Sequence, residues 1–196
     1  MKKKFITITL ISIAFLSFAI INSDYLSIGN NLNFDNENYA LKWSSNPTNN
    51  YYKQEYLRSA DKLSKFNKMI LVEAIEGNLT CSDAVKAKVG ELEKRKKWDF
   101  VANYQVYENK NKPTEAIVDF VVSDTMTTYE WNLYRYQLQK DNNNKTYMVL
   151  FAYCYRDSLN DNNDLKKFFD YIKSNRNKMI NKLTEYNIPK IRINKK

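Results

Sequence analysis

The second half of the chain contains four apolar, strand-like segments separated only by short polar links. These segments are predicted at Phe100–Tyr107, Ala116–Ser123, Tyr129–Gln139 and Tyr147–Arg156. The links between them read NKNKP, DTMT and DNNN. A parallel connection needs a crossover of about a dozen residues or more, so links this short favour antiparallel neighbours. We therefore predict an antiparallel sheet in this half of the chain.

Three further strands are predicted in the first half of the chain. Tyr39–Ser44 and Tyr51–Leu57 flank the turn sequence SSNPTNN, which favours a hairpin. Met69–Ile75 is an apolar run interrupted only by Glu73, which is typical of a buried strand. Residues 24–38 are polar and asparagine-rich, and we expect a flexible lead-in there.

Two helices complete the predicted elements. Thr80 precedes Asp83 by three residues, the spacing of a capping box in which Asp replaces the usual Glu, and this first helix is predicted to end near Trp98. The second helix is predicted to begin after residues 162–164 and to end at residues 187–189. Its apolar stripe comprises Leu165, Phe168, Phe169, Ile172, Met179, Ile180 and Leu183.

The predicted order is three strands, a helix, four strands and a helix. An antiparallel sheet of about six to seven strands packed by two main helices buries all of these apolar surfaces. The sequence therefore predicts an α+β fold with a single domain at residues 39–187, followed by a basic C-terminal tail at residues 188–196.

The N-terminus has the layout of a secretory signal peptide. Three lysines at residues 2–4 precede the uncharged segment Phe5–Ile21, and the first acid is Asp24. We predict a signal peptide at residues 1–23, with cleavage before Ile20 or before Asp24. The 17-residue apolar segment leaves an uncleaved N-terminal anchor as the alternative. The mature chain is expected to be secreted or periplasmic, with no integral membrane domain.

Several segments resemble the PsbP/Mog1/DcrB-like superfamily. They are YYKQEYL before MILVEAI, the capped helix from Thr80, and EWNLYRYQL leading to VLFAYCYR and a long final helix. The resemblance covers about residues 39–187. It implies a central antiparallel sheet flanked by helices and a non-enzymatic binding or assembly role, and it carries no set of catalytic residues. The QEY and EWNxYRY segments are also similar to those of exported bacterial proteins of unknown role.

The composition excludes several kinds of chemistry. The chain has no histidine, so it lacks the commonest general base and transition-metal ligand, and a Ser-His or Cys-His nucleophile pair is excluded. We expect no catalytic site, metal site or cofactor. Hydrolysis by a pair of carboxylates remains open, because Glu55, Glu73, Asp119 and Glu130 all lie within predicted strands.

Asp119 is the most informative of these acids because it lies inside the apolar segment AIVDFVV. An unpaired buried charge is costly, so a cation should meet it. Arg135 and Arg156 are the candidate partners on the neighbouring strands. We interpret this group as a structural ion pair, since a paired acid is stabilised as the carboxylate. The alternative is a cleft acid with a perturbed pKa.

The two cysteines, Cys81 and Cys154, both belong to the exported part of the chain. An oxidising compartment permits a disulfide between them, and such a bridge could contribute about 3–4 kcal/mol. The sequence favours this disulfide, and two buried free thiols are the alternative.

The excess positive charge is concentrated at the C-terminus. Residues 165–196 have a net charge of +8, whereas residues 24–164 have a net charge of −2. The segment could attract an anionic membrane, a cell-wall polymer or an acidic protein; the alternative is a solvated helix face with a disordered tail. The predicted patch for an anionic partner comprises Lys166, Lys167, Lys173, Arg176, Lys178 and Lys182.

These observations favour an exported, non-enzymatic protein that acts by binding or assembling with a protein partner. The second hypothesis is peripheral attachment to an anionic envelope surface through the C-terminal helix. The third is a carboxylate-dependent hydrolase that uses Asp119 with Glu73 or Glu130. Nucleic acid is not expected as a partner, because export removes the usual target and no nucleic-acid motif is present.

Overall fold

The computed structural model describes residues 22–108, 112–124, 127–158 and 162–194. It contains one eight-stranded antiparallel sheet and two helices, so the predicted α+β fold is confirmed with a slightly higher strand count. Most of the predicted signal peptide, residues 1–21, lies outside the described residues. Among the described residues, no helix is both long enough and apolar enough to cross a membrane.

The strands follow the order β1-β2-β3-β4-β8-β7-β6-β5 across the sheet. The first helix, α1, lies between β4 and β5 in the chain, and the second, α2, follows β8. The bounds are β1 Asn31–Phe34, β2 Glu37–Thr48, β3 Tyr51–Leu57, β4 Lys68–Glu76, α1 Cys81–Arg95, β5 Asn103–Glu108, β6 Glu115–Ser123, β7 Thr128–Lys140, β8 Thr146–Ser158 and α2 Asn162–Glu185.

The centre of the sheet is the pair of β4 and β8, which align along the whole length of β4. Both strands read as nearly continuous apolar runs because both of their faces are covered. Alternate residues supply two separate cores. The core on the α2 face includes Phe151, Trp131 and Phe168, and the core on the α1 face includes Leu150, Val118 and Val85.

The first helix begins as its sequence predicts. The Thr80 hydroxyl accepts a hydrogen bond from the Asp83 N–H at 3.1 Å, and the Asp83 carboxylate accepts one from the Thr80 N–H at 3.0 Å. This capping box satisfies backbone donors that the first helical turn would otherwise leave unpaired.

The N-terminal lead-in, which was expected to be flexible, packs against the basic C-terminal tail. The lead-in, residues 24–38, contains β1, and its Leu26 is fully buried. In the C-terminal tail Ile191 is also fully buried, and the Arg192 N–H donates to the Leu26 carbonyl at 2.9 Å. The lead-in is structured rather than flexible, because the scattered apolar residues of both segments complete the core on the α2 face.

The predicted disulfide does not form, since Cys81 and Cys154 are free, buried thiols in the core on the α1 face. The Cys81 sulfur lies 3.7 Å from the Tyr136 carbonyl oxygen. Tyr136 pairs with Leu150, four residues along β8 from Cys154. Four residues of a strand span about 13 Å, whereas bridged cysteines have Cα atoms about 4.4–6.8 Å apart.

We predict that Ile191→Ala lowers the free energy of unfolding by about 2–5 kcal/mol, because it leaves a cavity where the tail meets the core. Urea denaturation measures the change. The exposed neighbour Lys190 provides the matched control, and Lys190→Ala should leave the unfolding midpoint unchanged. Equal stability of Ile191→Ala and the wild type would show that the tail does not pack against the core.

Candidate functional site

The predicted acids lie on opposite faces of the sheet. Asp119 shares the α2 face with Ile117 and Val121, whereas Glu73 and Glu130 point to the α1 face. Side chains alternate between the two faces of a strand, so the sheet itself separates Asp119 from both glutamates. The expected pairing of Asp119 with Glu73 or Glu130 in a hydrolase site is therefore wrong.

The two arginines predicted to meet Asp119 have other acidic partners. A terminal nitrogen of Arg135 lies 2.8 Å from the Glu115 carboxylate, and this guanidinium also donates to carbonyl groups at the end of α2. Arg156 is on the α1 face, where it pairs with Glu130. Both arginines form ion pairs, as predicted, but neither pairs with Asp119.

The cation beside Asp119 comes instead from α2. Asp119 is only 1% exposed, and its Oδ1 accepts a hydrogen bond from the Trp131 indole N–H at 2.8 Å. The Arg176 Nε lies 2.9 Å from Oδ2, but the two groups are not aligned as a hydrogen bond. Oδ2 therefore has a charge contact and no hydrogen-bond donor among the described residues.

Burial raises the pKa of Asp119, while the Trp131 hydrogen bond and the charge of Arg176 act in the opposite direction. Desolvation prevails because the arginine contact is imperfect and a buried carboxylate loses its water. We expected the carboxylate to be the stabilised form, and the shift has the opposite sign. A buried acid with a raised pKa beside a cleft is a feature of functional sites.

Asp119 lies at a cavity of about 500 Å³ between α2 and the strands β5 and β6. Gln105 and Val121 contribute to its lining from the strands, and Arg176 and Phe169 contribute from α2. A second cavity of about 260 Å³, lined in part by Ile117 and Ile180, follows along the same strands. We call the two cavities together the α2 groove. Helix α2 packs mainly on β7, and Arg176 reaches Asp119 on β6 at the larger cavity.

Exposed aromatic residues border this groove. Phe100 is 98% exposed, Phe169 is 39% exposed, and both line the larger cavity. Trp98, two residues before Phe100, is 51% exposed and lies against the Arg95 guanidinium at 4.6 Å from the ring centroid, where it lines a separate cavity together with residues of α1. The groove thus combines apolar rings at its entrance with a charged pair inside, which suits recognition of a partner side chain.

The outward direction of Trp98 and Phe100 follows from the residue between them. The carboxylate of Asp99 points inward, where it accepts hydrogen bonds from the backbone N–H and hydroxyl of Ser123 at 2.8 and 2.9 Å. The Arg95 Nε also donates to it at 2.8 Å. This buried anchor fixes the end of α1 to β6, and its two aromatic neighbours are directed outward.

Sequence reasoning missed this aromatic surface. Trp98 was expected only as a helix end and Phe100 as the start of a strand, whereas β5 begins three residues later. The available signal was the segment KRKKWDF, in which aromatic residues directly follow four cations. Cations at the C-terminal end of a helix also compensate its dipole, so they do not by themselves indicate an exposed aromatic surface.

Another cavity, of about 390 Å³, lies on the α1 face and includes Glu73 in its lining. Glu73 is directly opposite Lys53 in the β3–β4 ladder, with 3.9 Å between the charged atoms. The same lysine lies 3.2 Å from Glu55. Burial raises the pKa of Glu73, and Lys53 opposes this shift. We interpret this group as an ion-pair network that holds β3 to β4.

The predicted basic patch on α2 is partly neutralised. Five of its six cations lie within 4.0 Å of an acidic partner. The pairs are Lys166–Asp170, Lys167–Asp164, Arg176–Asp119, Lys178–Asp35 and Lys182–Asp35. The sixth cation is Lys173. Such pairs reduce the field that a bare basic helix would present to an anionic surface.

Asp119 predicts a specific dependence of stability on pH. Because its pKa is raised in the folded protein, this carboxyl contributes stability that is fully present below the unfolded pKa, about 3.9, and is lost as pH rises through the folded pKa. Relative to the wild type, Asp119→Asn should therefore become more stable as pH rises. Urea denaturation at a series of pH values, from below the unfolded pKa of about 3.9 to above the folded pKa, measures the difference in free energy of unfolding between the variant and the wild type.

Asp83 provides a control of opposite sign. Hydrogen bonds from Thr80 lower the pKa of Asp83, so its stabilising contribution is present at higher pH and is lost as pH falls through the folded pKa. Relative to the wild type, Asp83→Asn should lose stability as pH rises. A pH-independent difference between the wild type and Asp119→Asn would contradict the raised pKa of Asp119.

Among the described residues, no group of three or more cysteine, aspartate or glutamate side chains is placed to hold a metal ion. Comparison with curated proteins finds no match. A protein-family model matches residues 26–188, which comprise β1 to α2 and all the residues of the α2 groove. Because this match covers well over half of the chain, the chain belongs to that family.

Proposed function

We propose that this protein is an exported, non-enzymatic binding protein that holds a protein partner on the surface formed by Trp98, Phe100 and the α2 groove. The observation that carries the proposal is Phe100, an aromatic side chain that is 98% exposed at the entrance to a cleft with a buried charge. Exposed apolar surface with a polar surround is typical of interaction sites.

The composition of the surface supports binding of a protein. Aromatic residues and arginine provide much of the binding energy in protein interfaces, and Phe100, Phe169 and Arg176 supply these types around one cavity. The Asp99 network and the Asp119 contact hold the surface on rigid elements. A fixed surface loses little conformational entropy when a partner binds.

The carboxylates support binding more than hydrolysis. Among the described residues that line the larger cavity, Asp119 is the single acid; the smaller cavity is lined by Glu108 and by Glu115, which is paired with Arg135. Hydrolysis of a glycosidic bond by carboxylates uses two of them, about 5–10 Å apart on either side of the bond. The proposed resemblance to PsbP/Mog1/DcrB-like domains, and the proposed export by a signal peptide, both favour a binding role in the secreted or periplasmic compartment.

Phe100→Ser should weaken binding of the partner while leaving the fold intact, because this side chain is in solvent. The protein is immobilised and cross-linked to its partner in an envelope extract, which identifies the partner. The partner is then purified separately, and its affinity for the protein is measured without cross-linking. We expect the dissociation constant of the purified complex to rise at least about tenfold, or about 1.4 kcal/mol. Leu63→Ser, at a residue that is 42% exposed elsewhere, is the matched control. Equal affinity of Phe100→Ser and the wild type would contradict the proposal.

A second candidate function is attachment to an anionic membrane or cell-wall surface. The observation that favours it is the position of Lys94, Lys96 and Lys97 next to Trp98 and Phe100. Aromatic rings at the polar boundary of a bilayer and lysines close to anionic headgroups both stabilise peripheral attachment. This location differs from the α2 helix that the sequence suggested.

Co-sedimentation with vesicles that contain phosphatidylglycerol tests this candidate. Binding should weaken steeply with added salt, because exposed charges are screened. Exchanging Lys94 and Lys97 for glutamine should reduce binding more than the same exchange of Lys166 and Lys167. Salt-independent sedimentation, or none, would remove the membrane candidate and leave the protein partner.

A further inference from the structure

Strand β5 forms one edge of the sheet and lacks the usual protection of an edge. Natural edge strands commonly carry lysine, proline or a bulge that prevents pairing with another chain. The sequence of β5, NYQVYE, has no lysine or proline, and its ladder with β6 is continuous. Its single charge is Glu108. The opposite edge, β1, has only four residues.

The outward-facing backbone groups of β5 can be identified from one hydrogen bond. The Tyr104 N–H donates to the side-chain oxygen of Asn103 at 2.9 Å, so this donor does not pair with β6. Backbone groups of an antiparallel edge strand alternate between its neighbour and the outside. The N–H and C=O groups of Tyr104, Val106 and Glu108 therefore face away from the sheet.

We propose that β5 pairs antiparallel with β5 of a second copy of this chain, about a two-fold axis at Val106. In this register Val106 of one copy is opposite Val106 of the second copy, and Tyr104 is opposite Glu108 of the second copy. It is the register in which all three outward-facing residues of each strand are paired, and in it the Tyr104 N–H exchanges its bond to the Asn103 side chain for one to the Glu108 carbonyl of the second copy. A symmetric interface of this kind closes as a dimer and leaves neither β5 strand unpaired.

The charges fit this register. Directly opposite residues lie on the same face of a sheet, so the second copy's Glu108 lies beside Tyr104 on the α1 face. The Lys96 ammonium lies 4.4 Å from the centroid of the Tyr104 ring and 2.8 Å from Glu93. Each Lys96 thus faces an added carboxylate, and the symmetry repeats the contact. The two Glu108 residues do not oppose each other.

Dimerisation joins the two eight-stranded sheets into one continuous sheet. Gln105, on the other face of β5, lines the larger cavity of the α2 groove. The two grooves therefore lie on the same side of the joined sheet, one on each side of the axis. The dimer goes beyond the proposed binding function and does not depend on it, because the α2 groove is complete within one copy.

Sedimentation equilibrium of the full chain over a range of concentrations tests the dimer. We expect a reversible dimer for the wild type and at least a tenfold higher dissociation constant for Glu108→Lys, which places a cation opposite Lys96. The double variant Lys96→Glu with Glu108→Lys exchanges the two charges and should restore dimerisation. Val106→Pro removes an outward N–H that β6 does not use, so it should give a folded monomer.

Asn31→Lys on β1 is the matched control, because it adds the same charge to the other edge of the sheet. It should leave the dimer unchanged. A wild type that remains monomeric at the highest concentration would overturn the proposal and leave β5 open to a different partner. Dimers that persist in Val106→Pro, or that Asn31→Lys disrupts, would also overturn it.

Discussion

The whole structure depends on covering both faces of the β4–β8 pair. These strands bury nearly continuous apolar runs, so neither face can remain in water. Helix α1 covers part of one face, and α2 covers the other with help from the N-terminal lead-in and the C-terminal tail. The burial of Leu26 and Ile191 is a consequence of this requirement. The mostly polar lead-in and C-terminal tail pack on the sheet beside α2, because the sheet is wider than one helix.

On the α2 face, the packed segments cover the centre of the sheet fully and the strands near β5 only in part. The candidate site lies in the partly covered region. The groove lies between α2 and the strands β5 and β6, with Asp119 at its side. Trp131 and Arg176 stabilise the buried carboxylate without removing the rise of its pKa. On the same side, the inward hydrogen bonds of Asp99 direct Trp98 and Phe100 to solvent. The proposed binding surface thus results from the way in which the core is closed.

Local features were predictable from the sequence, and the features that join distant segments were not. The capping box of Thr80 and Asp83 lies within four consecutive residues, and the antiparallel neighbours follow from short links. The partner of Asp119 required knowing which face α2 covers, so Arg135 and Arg156 were reasonable but wrong choices. Cys81 and Cys154 share one core yet lie too far apart along β8 to form a bridge. The exposure of Phe100 depended on Asp99, whose partner Ser123 is 24 residues away.

The central claim is that the end of the sheet at β5, with Trp98 and Phe100, is the surface on which this protein binds. Amide hydrogen exchange tests it most directly, by comparing the dilute protein with the protein bound to a partner or to a second copy. The account predicts that binding slows exchange in residues 98–108 and leaves β1, at the opposite edge, unchanged. Binding that slows exchange at β1 and leaves the exchange rates of residues 98–108 unchanged would contradict this claim.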